Sequence, residues 1–267
     1  MRLEQLERRV LGAVIFLDAT TGARILSSLR VEARGVKFVR NRSGSYVIFS
    51  APGFKSYINS FRQQPASVAL ESVAFEISVT DPLRRYLPRR STIHLPLNPA
   101  TTRPNEGAWL FAPIKVSLFP SPISSTLPGW AVIRATIREE GKTDRLPWSL
   151  IKVKREGTTD LLATGLADKR GEALVAVTGL PTTTSDTGTG TVLTSEIAVT
   201  IEVVFDTHVK KVRDPEDLEP MAYSPEDYIP DPSALETGNP PDFRSSKTTT
   251  SLASGKEHIA DLVVNLA

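Results

Sequence analysis

The sequence predicts an all-β chain of two sandwich-like domains, followed by a long acidic arm and a closing strand. Three observations carry this. Apolar and polar residues alternate in short runs, as on strands with one buried face. Turn residues punctuate those runs at intervals near ten residues, the rhythm of a β-sandwich. One stretch breaks the rhythm: residues 214–242 hold nine acidic residues, seven prolines and no basic residue. With 40% hydrophobic and 23% charged residues over 267 positions, the chain can build two modest cores.

In chain order, residues 1–9 read as a lead-in turn. The run "VLGAVIFLDA" is rich in strand formers, and Gly22 marks the turn after it. "SSLRVEARG" alternates Leu29, Val31 and Ala33, and "VKFVRN" sets Val36 and Phe38 against charge. "RSGSYVIFSAPG" is a glycine turn, an apolar strand and a Pro-Gly exit. "SVAFEISVTD" alternates Val73, Phe75, Ile77 and Val79, and "STIHLPLNP" closes a first domain over residues 1–99. Residues 100–112 read as a polar linker. A second domain is expected over 113–213, from "IKVSLFPSPI" through "GWAVIRATIREEG", "WSLIKVKREG" and "LATGLADKRGEALVAVTGLP" to "SEIAVTIEVVFD". An extended Pro-rich arm is expected over 214–256, because neither a helix nor a central strand tolerates that proline density. Residues 257–267, with "HIADLVVNLA", supply the last strand.

Within the second domain Asp168-Lys169-Arg170-Gly171 falls between two strand-like runs. Aspartate at the head of such a turn accepts hydrogen bonds from amides two or three residues ahead, and glycine at its end supplies a backbone conformation closed to other residues. The reading is structural. "NRSGSYVIFSAPG" matches "DKRGEALVAVTGLP" in kind, with Asn41 and Gly44 answering Asp168 and Gly171. This weak repetition leaves open whether the halves share one fold.

"GLADKRGEALVAVTGLP" and the earlier "GAVIFLDATTGARILSSLRVEARG…RSGSYVIFSAPGF" resemble the carboxypeptidase regulatory-like or transthyretin-like β-sandwich modules, over Val10 to Leu97 and Trp130 to Phe205. The family's Asp-x-x-Gly turn stands intact at Asp168–Gly171, whereas Asn41 replaces the aspartate in the first half. The resemblance implies an Ig/transthyretin-like sandwich for each half. Such modules serve as accessory domains, adhesins and parts of phage-tail-like particles, and they share no catalytic residue.

The chain has no cysteine, which excludes disulfides, thiolate nucleophiles and cysteine-bound metal. His94, His208 and His258 lack a second histidine at metal-ligand spacing. Glu139-Glu140, beside Gly141, reads as a solvated turn, since neighbours on a strand point to opposite faces. No nucleophile elbow occurs, and "DTGTGT" lacks the lysine and helix of a phosphate loop. No catalytic residue, cofactor or metal site is expected. A net charge of +2 does not argue for nucleic acid. No apolar run approaches the roughly 20 residues of a membrane span. The first apolar run ends at Asp18 and follows Glu4, Glu7 and Arg8, unlike an export signal, so a cytoplasmic protein is expected.

What remains are surfaces. Arg84, Arg85, Arg89 and Arg90 in "DPLRRYLPRRST" form the densest basic cluster, either a solvated loop or a contact for an acidic partner. Without residues 214–242 the chain carries 32 basic against 21 acidic residues, a net +11, so the acidic arm suits its own body or a neighbour's. Met221, Tyr223, Tyr228 and Ile229 are spaced along it as anchors. The expected function is a non-enzymatic assembly subunit of a phage tail or contractile-injection particle: a baseplate, collar or tail accessory protein. Its partners would be other subunits, including copies of itself. The alternative is a carbohydrate- or surface-binding module with an aromatic platform at Trp109, Trp130 or Trp148. Of these, Trp130 reads as core and Trp148, after Pro147, as an exposed position.

Overall fold

Alternating sequence becomes strand wherever one face can be buried, and the computed structural model is accordingly predominantly β. It describes residues 10–59, 69, 71–97, 110, 112–181, 184–185, 192–193, 196–213, 228–237 and 241–266. The chain divides into two units. The first comprises residues 1–18, 22–82 and 88–118; the second comprises 19–21, 83–87 and 119–267.

In the first unit the elements are β1 (Gly12–Asp18), β2 (Arg30–Glu32), β3 (Lys37–Arg40), β4 (Tyr46–Ser50), the short helix α1 (Lys55–Asn59), β5 (Val73–Thr80), β6 (Arg89–Leu95) and β7 (Ile114–Leu118). They form two sheets, ordered β3-β4-β1-β7 and β2-β5-β6. Val14, Phe16, Tyr46, Ile48, Val116 and Leu118 are buried from one sheet, Ile77, Val79, Ile93 and Leu95 from the other. Phe16 meets Tyr46 edge to face at 5.3 Å, a favoured aromatic geometry. The buried Tyr46 hydroxyl accepts from Leu29 N and donates to Leu29 O.

β7 corrects the expected boundaries. The reading that ended the first domain at 99 and opened the second at 113 divided the sequence at its polar link. Residues 114–118 instead pair in parallel with β1, from Val14↔Ile114 to Asp18↔Leu118. The physical reason is that β1 is a central strand, and the polar groups along its second edge need a partner of their own. No turn signal reports that need.

The second unit contains β8 (Ala131–Glu139), β9 (Leu150–Arg155), β10 (Leu161–Leu166), β11 (Glu172–Val177), the two-residue strands β12 (Thr184–Ser185) and β13 (Val192–Leu193), β14 (Glu196–Asp206), helix α2 (Pro232–Thr237), β15 (Phe243–Ala253) and β16 (Glu257–Val264). The main sheets are β10-β9-β14-β15 and β11-β8-β16. One core joins their inner faces: Ile133, Ala135 and Ile137 of β8, Val175 of β11 and Leu262 of β16 lie in the same cluster as Ile151, Val153, Val199, Ile201, Val203 and Leu252.

The arm expected over 214–256 therefore ends early. Phe243–Ala253 is a strand, paired with β14 over eleven positions from Asp206↔Phe243 to Glu196↔Ala253. "FRSSKTTTSLA" lacks clear alternation, but its threonines fit a half-exposed edge, and β14 requires a partner there.

The two units share a strand order. The first strand of each lies between an antiparallel neighbour and the last strand, which runs parallel to it: β4-β1-β7 and β11-β8-β16. The opposite sheets, β2-β5-β6 and β9-β14-β15, also correspond. The third strands differ, β3 pairing with β4 but β10 with β9. Each unit also ties its last strand to the one before it. Arg89 Nη1 on β6 donates to Ser117 O at 2.5 Å, and Ser246 Oγ on β15 donates to Val263 O at 2.6 Å. A side chain thus covers part of the edge of the terminal strand.

Candidate functional site

The turn Asp168–Gly171 is built by local bonds. Asp168 Oδ1 accepts from the amides of Arg170 at 2.8 Å and Glu172 at 3.0 Å. Asp168 N donates to Glu172 O, and Gly171 N donates to Asp168 O. Gly171 has φ +72°, and a Cβ there would lie 3.0 Å from Ile137 O and 3.2 Å from Arg145 Cβ and Leu146 N. The turn in the first unit has the same frame. Asn41 N donates to Ser45 O, Gly44 N donates to Asn41 O, and Asn41 Oδ1 accepts from Ser45 N at 2.8 Å, with Gly44 at φ +78°. Asn41 and Asp168 thus serve as turn acceptors. Asp168 is also held by Arg170 Nε at 3.2 Å, while Arg170 Nη2 reaches Glu172 at 2.5 Å.

Two more carboxylates are buried at this end of the second unit. Glu139, at the end of β8, receives Lys142 Nζ and Lys211 Nζ, each at 2.6 Å. Those hydrogen bonds, Lys142's first, hold its carboxyl below the ordinary glutamate range against the opposing effect of burial. This corrects the solvated-turn reading: Glu139 is buried and Glu140 alone is exposed. Asp206, at the end of β14, is the second. Its Oδ1 accepts from His208 N at 2.9 Å and pairs with His208 Nδ1 at 2.8 Å, while its Oδ2 accepts from Tyr228 Oη at 2.9 Å. The hydrogen bond to Asp206, then its charge and that of Asp242, raise the pKa of His208, whose side chain is 63% exposed. Burial, then the bond and charge of Asp206, raise that of Tyr228 and keep it a phenol donor.

Asp206 thereby clasps the return of the arm, here a 228–237 strap. Tyr228 is 53% exposed but tied by its hydroxyl; Ile229 is buried, and with Leu235 of α2 it joins the core cluster of its own unit. On β14, Val204 lies opposite Leu150 of β9, on the face away from Val203 and Ile151. Both are buried, and α2 packs against these strands. Lys152 Nζ donates to the carbonyls of Leu235 and Glu236, satisfying acceptors at the end of α2. Of the two surfaces expected for the arm, its own body or a neighbour's, this segment takes the first and folds back on its own unit. Met221 and Tyr223 lie outside the described residues.

The four arginines of the basic cluster differ in burial and divide between the units. Arg89 is buried, 7% exposed, and its guanidinium serves Ser117 O. Arg90 stands 4.0 Å from Glu76. Arg84 and Arg85 belong to the second unit, where their carbonyls accept from Ser121 N and Oγ and from Ser124 Oγ. Of the quartet, Arg84 and Arg85 are exposed and Arg90 is half-buried, while Arg89 is a buried structural side chain and is corrected as an interface residue. The exposure expected of Trp148 is corrected as well. Trp148 is only 4% exposed, at φ +58°, and Trp130 packs on Val132, Leu174 and Ala176. Trp109 lies outside the described residues.

Sequence reasoning passed over Glu139 as a buried group, Asp206, and the arginines Arg24 and Arg145. A repeated signal was present: in each unit an acidic residue at the end of the first strand, Asp18 or Glu139, is followed by a glycine and then an arginine six positions on. Asp206-Thr207-His208 at a strand end is a second signal, a side-chain cap of the turn that follows. Among the described residues no helix is long and apolar enough to cross a membrane. No family model matches the chain, and no curated protein matches it.

Proposed function

We propose that this protein is a non-enzymatic assembly subunit, of the kind used in the baseplate, collar or accessory parts of a phage tail or contractile-injection particle. Its two β units act as rigid blocks, and the outer face of β8 and β16 docks on a neighbouring copy. The observation that carries this reading is the exposure of Ile259, at 82%, and Val263, at 44%, on one face of β16. They alternate with Glu257 and Asp261, which pair with Arg134 and Arg138 of β8. Exposed apolar side chains interleaved with paired charges are what a partly polar protein interface presents. Covering both side chains would contribute up to roughly 1.5–3 kcal/mol each. The buried carboxylates support the reading in a second way, since Glu139, Asp168 and Asp206 spend their hydrogen bonds on their own chain. The class of particle rests on the resemblance to transthyretin-like modules, which is analogy of fold.

The test is light scattering over a concentration series, comparing the wild type with an Ile259→Asp/Val263→Asp double variant. Mass should rise with concentration in the wild type and stay monomeric in the variant, with equal unfolding midpoints. A wild type that is monomeric throughout, or a variant that associates equally, rejects assembly through this face.

A further inference from the structure

β15 ends its sheet, and the parity of the ladder fixes which of its backbone groups face outward. Glu156 N donates to Ala198 O, and Thr207 N donates to Asp242 O. Backbone groups alternate sides along an antiparallel strand, so the even residues of β14 bond β9 and the odd ones bond β15. In β15 the even residues therefore face β14. Ser245, Lys247, Thr249 and Ser251 hold their amides and carbonyls to the open side, and all four are exposed. β16 is reached instead by inward side chains: Ser246 Oγ donates to Val263 O, and Thr250 Oγ1 lies 3.4 Å from His258 Nε2.

An open edge is a template for another strand, and other edges of this chain are blunted. β2 has three residues. β3 and β10 are interrupted by register shifts, at Lys37/Phe38 and at Leu161/Ala163. β7 and β16 each have a carbonyl capped by a side chain, Arg89 and Ser246. β15 has eleven residues, pairs with β14 at every one without a shift, and holds no proline. Its two cations are turned to their own chain. Arg244 Nη1 donates to Pro241 O at 2.6 Å, and Lys247 Nζ lies 3.7 Å from Glu202.

The side chains along this edge decide the occupant. A second β15 laid antiparallel about Thr249 sets Thr249 opposite Thr249 and Lys247 opposite Ser251, hydroxyl against hydroxyl and cation against hydroxyl. Pairing about Lys247 would set cation on cation, and pairing about Thr248 would set the two cations on a diagonal. The edge is thus self-complementary in one register. A two-stranded ladder is marginal in water by itself, and little apolar surface here repays the cost of association. The pairing therefore belongs to copies that another contact already holds together.

We propose that β15 pairs antiparallel with β15 of a second copy, about Thr249, so that the two sheets continue as one. This rests on the assembly reading: the outer face of β8 and β16 supplies the affinity, and the β15 edge sets the register between copies. The test places single cysteines in the full chain, which has none of its own, as Thr249→Cys and Ser245→Cys. In the proposed register the Cα atoms at 249 lie about 5.5 Å apart. Those at 245 lie about 27 Å apart, eight residues along the strand at about 3.4 Å each. A short bis-maleimide is applied over the concentration series in which light scattering follows the mass. Cross-linked dimer should form about tenfold faster in Thr249→Cys, because pairing raises the local thiol concentration. That excess should vanish when Ile259→Asp/Val263→Asp is added. Rising mass with equal cross-linking of the two cysteine variants overturns the edge and leaves the outer-face reading standing. Constant mass with preferential cross-linking at 249 overturns the outer face as the source of affinity and keeps the edge. Constant mass with equal cross-linking overturns both.

Discussion

Gly171 and Gly44 have nearly the same backbone conformation but different surroundings, and the difference is measurable. Valine at either position is strained by the positive φ, at roughly 1–3 kcal/mol. At Gly171 the new Cβ also meets the backbone of Ile137 and Leu146, whereas at Gly44 the nearest atom is the end of the Leu26 side chain at 3.4 Å. Urea unfolding should therefore show Gly171→Val as the costlier change. Asp168→Ala should cost roughly 0.5–2 kcal/mol, as lost side-chain caps do. Asp168→Asn should cost less, because Asn41 already performs that role in the first unit. The turns were legible because their chemistry spans four residues. Glu139 was not, because the lysine that completes its pairing, Lys211, lies 72 residues away. Titration follows from the same groups. Glu139 is lowered by its lysine hydrogen bonds; Glu202 is lowered too, since the hydrogen bond from Lys154 and the charges of Lys154, Lys247 and Lys152 outweigh its burial. Their stabilisation is present above the ordinary glutamate pKa of 4.5 and is lost as pH falls through the lowered values. His208 acts in the opposite sense. Its contribution is complete below 6.5 and is lost as pH rises through its raised value. Melting temperature against pH should fall on the acid side in wild type and less steeply in Glu139→Gln, while His208→Ala should remove a decline on the neutral side.

What escaped the sequence reading is what a partner dictates. β7 was read as a strand but given to the second domain, and β15 was read as part of the arm; each takes its place because a longer strand presents an edge to be filled. The arm divides by the same logic. Proline and acidic residues argue for extension, yet Ile229 and Leu235 find an apolar surface within reach on their own unit. Leu235→Ala should cost roughly 2–5 kcal/mol, the range for emptying a buried leucine site. Tyr228→Phe, which removes one hydrogen bond to a buried charge, should cost roughly 1.5–3 kcal/mol. Denaturant titration checks both, and a cost near zero for Leu235→Ala would mean that the strap is not seated in solution.

For the whole molecule, the shared strand order places the end of the first unit at β7. A fragment ending at residue 104 lacks the strand that pairs with β1 from Val14 to Asp18. It should give poorly dispersed amide signals, and a fragment extended through Leu118 should improve them. Well-dispersed signals from the shorter piece would show that β1 tolerates an open edge. All-β character was legible because alternation is local. The shared order was not, since it depends on pairings such as Glu257↔Val132, across 125 residues.

That same pairing sets a schedule for synthesis. The first unit can close once β7 has emerged, but β8 must wait for β16. The interval from Glu139 to Val264 takes a ribosome roughly 6–25 s at about 5–20 residues per second. Throughout it, nascent β8 offers an unpaired edge that only β16 will cover. On a crowded polysome the nearest competing strand is the β16 of the chain ahead, so yield should depend on spacing between ribosomes and on chaperones that shield β8 until its own partner arrives.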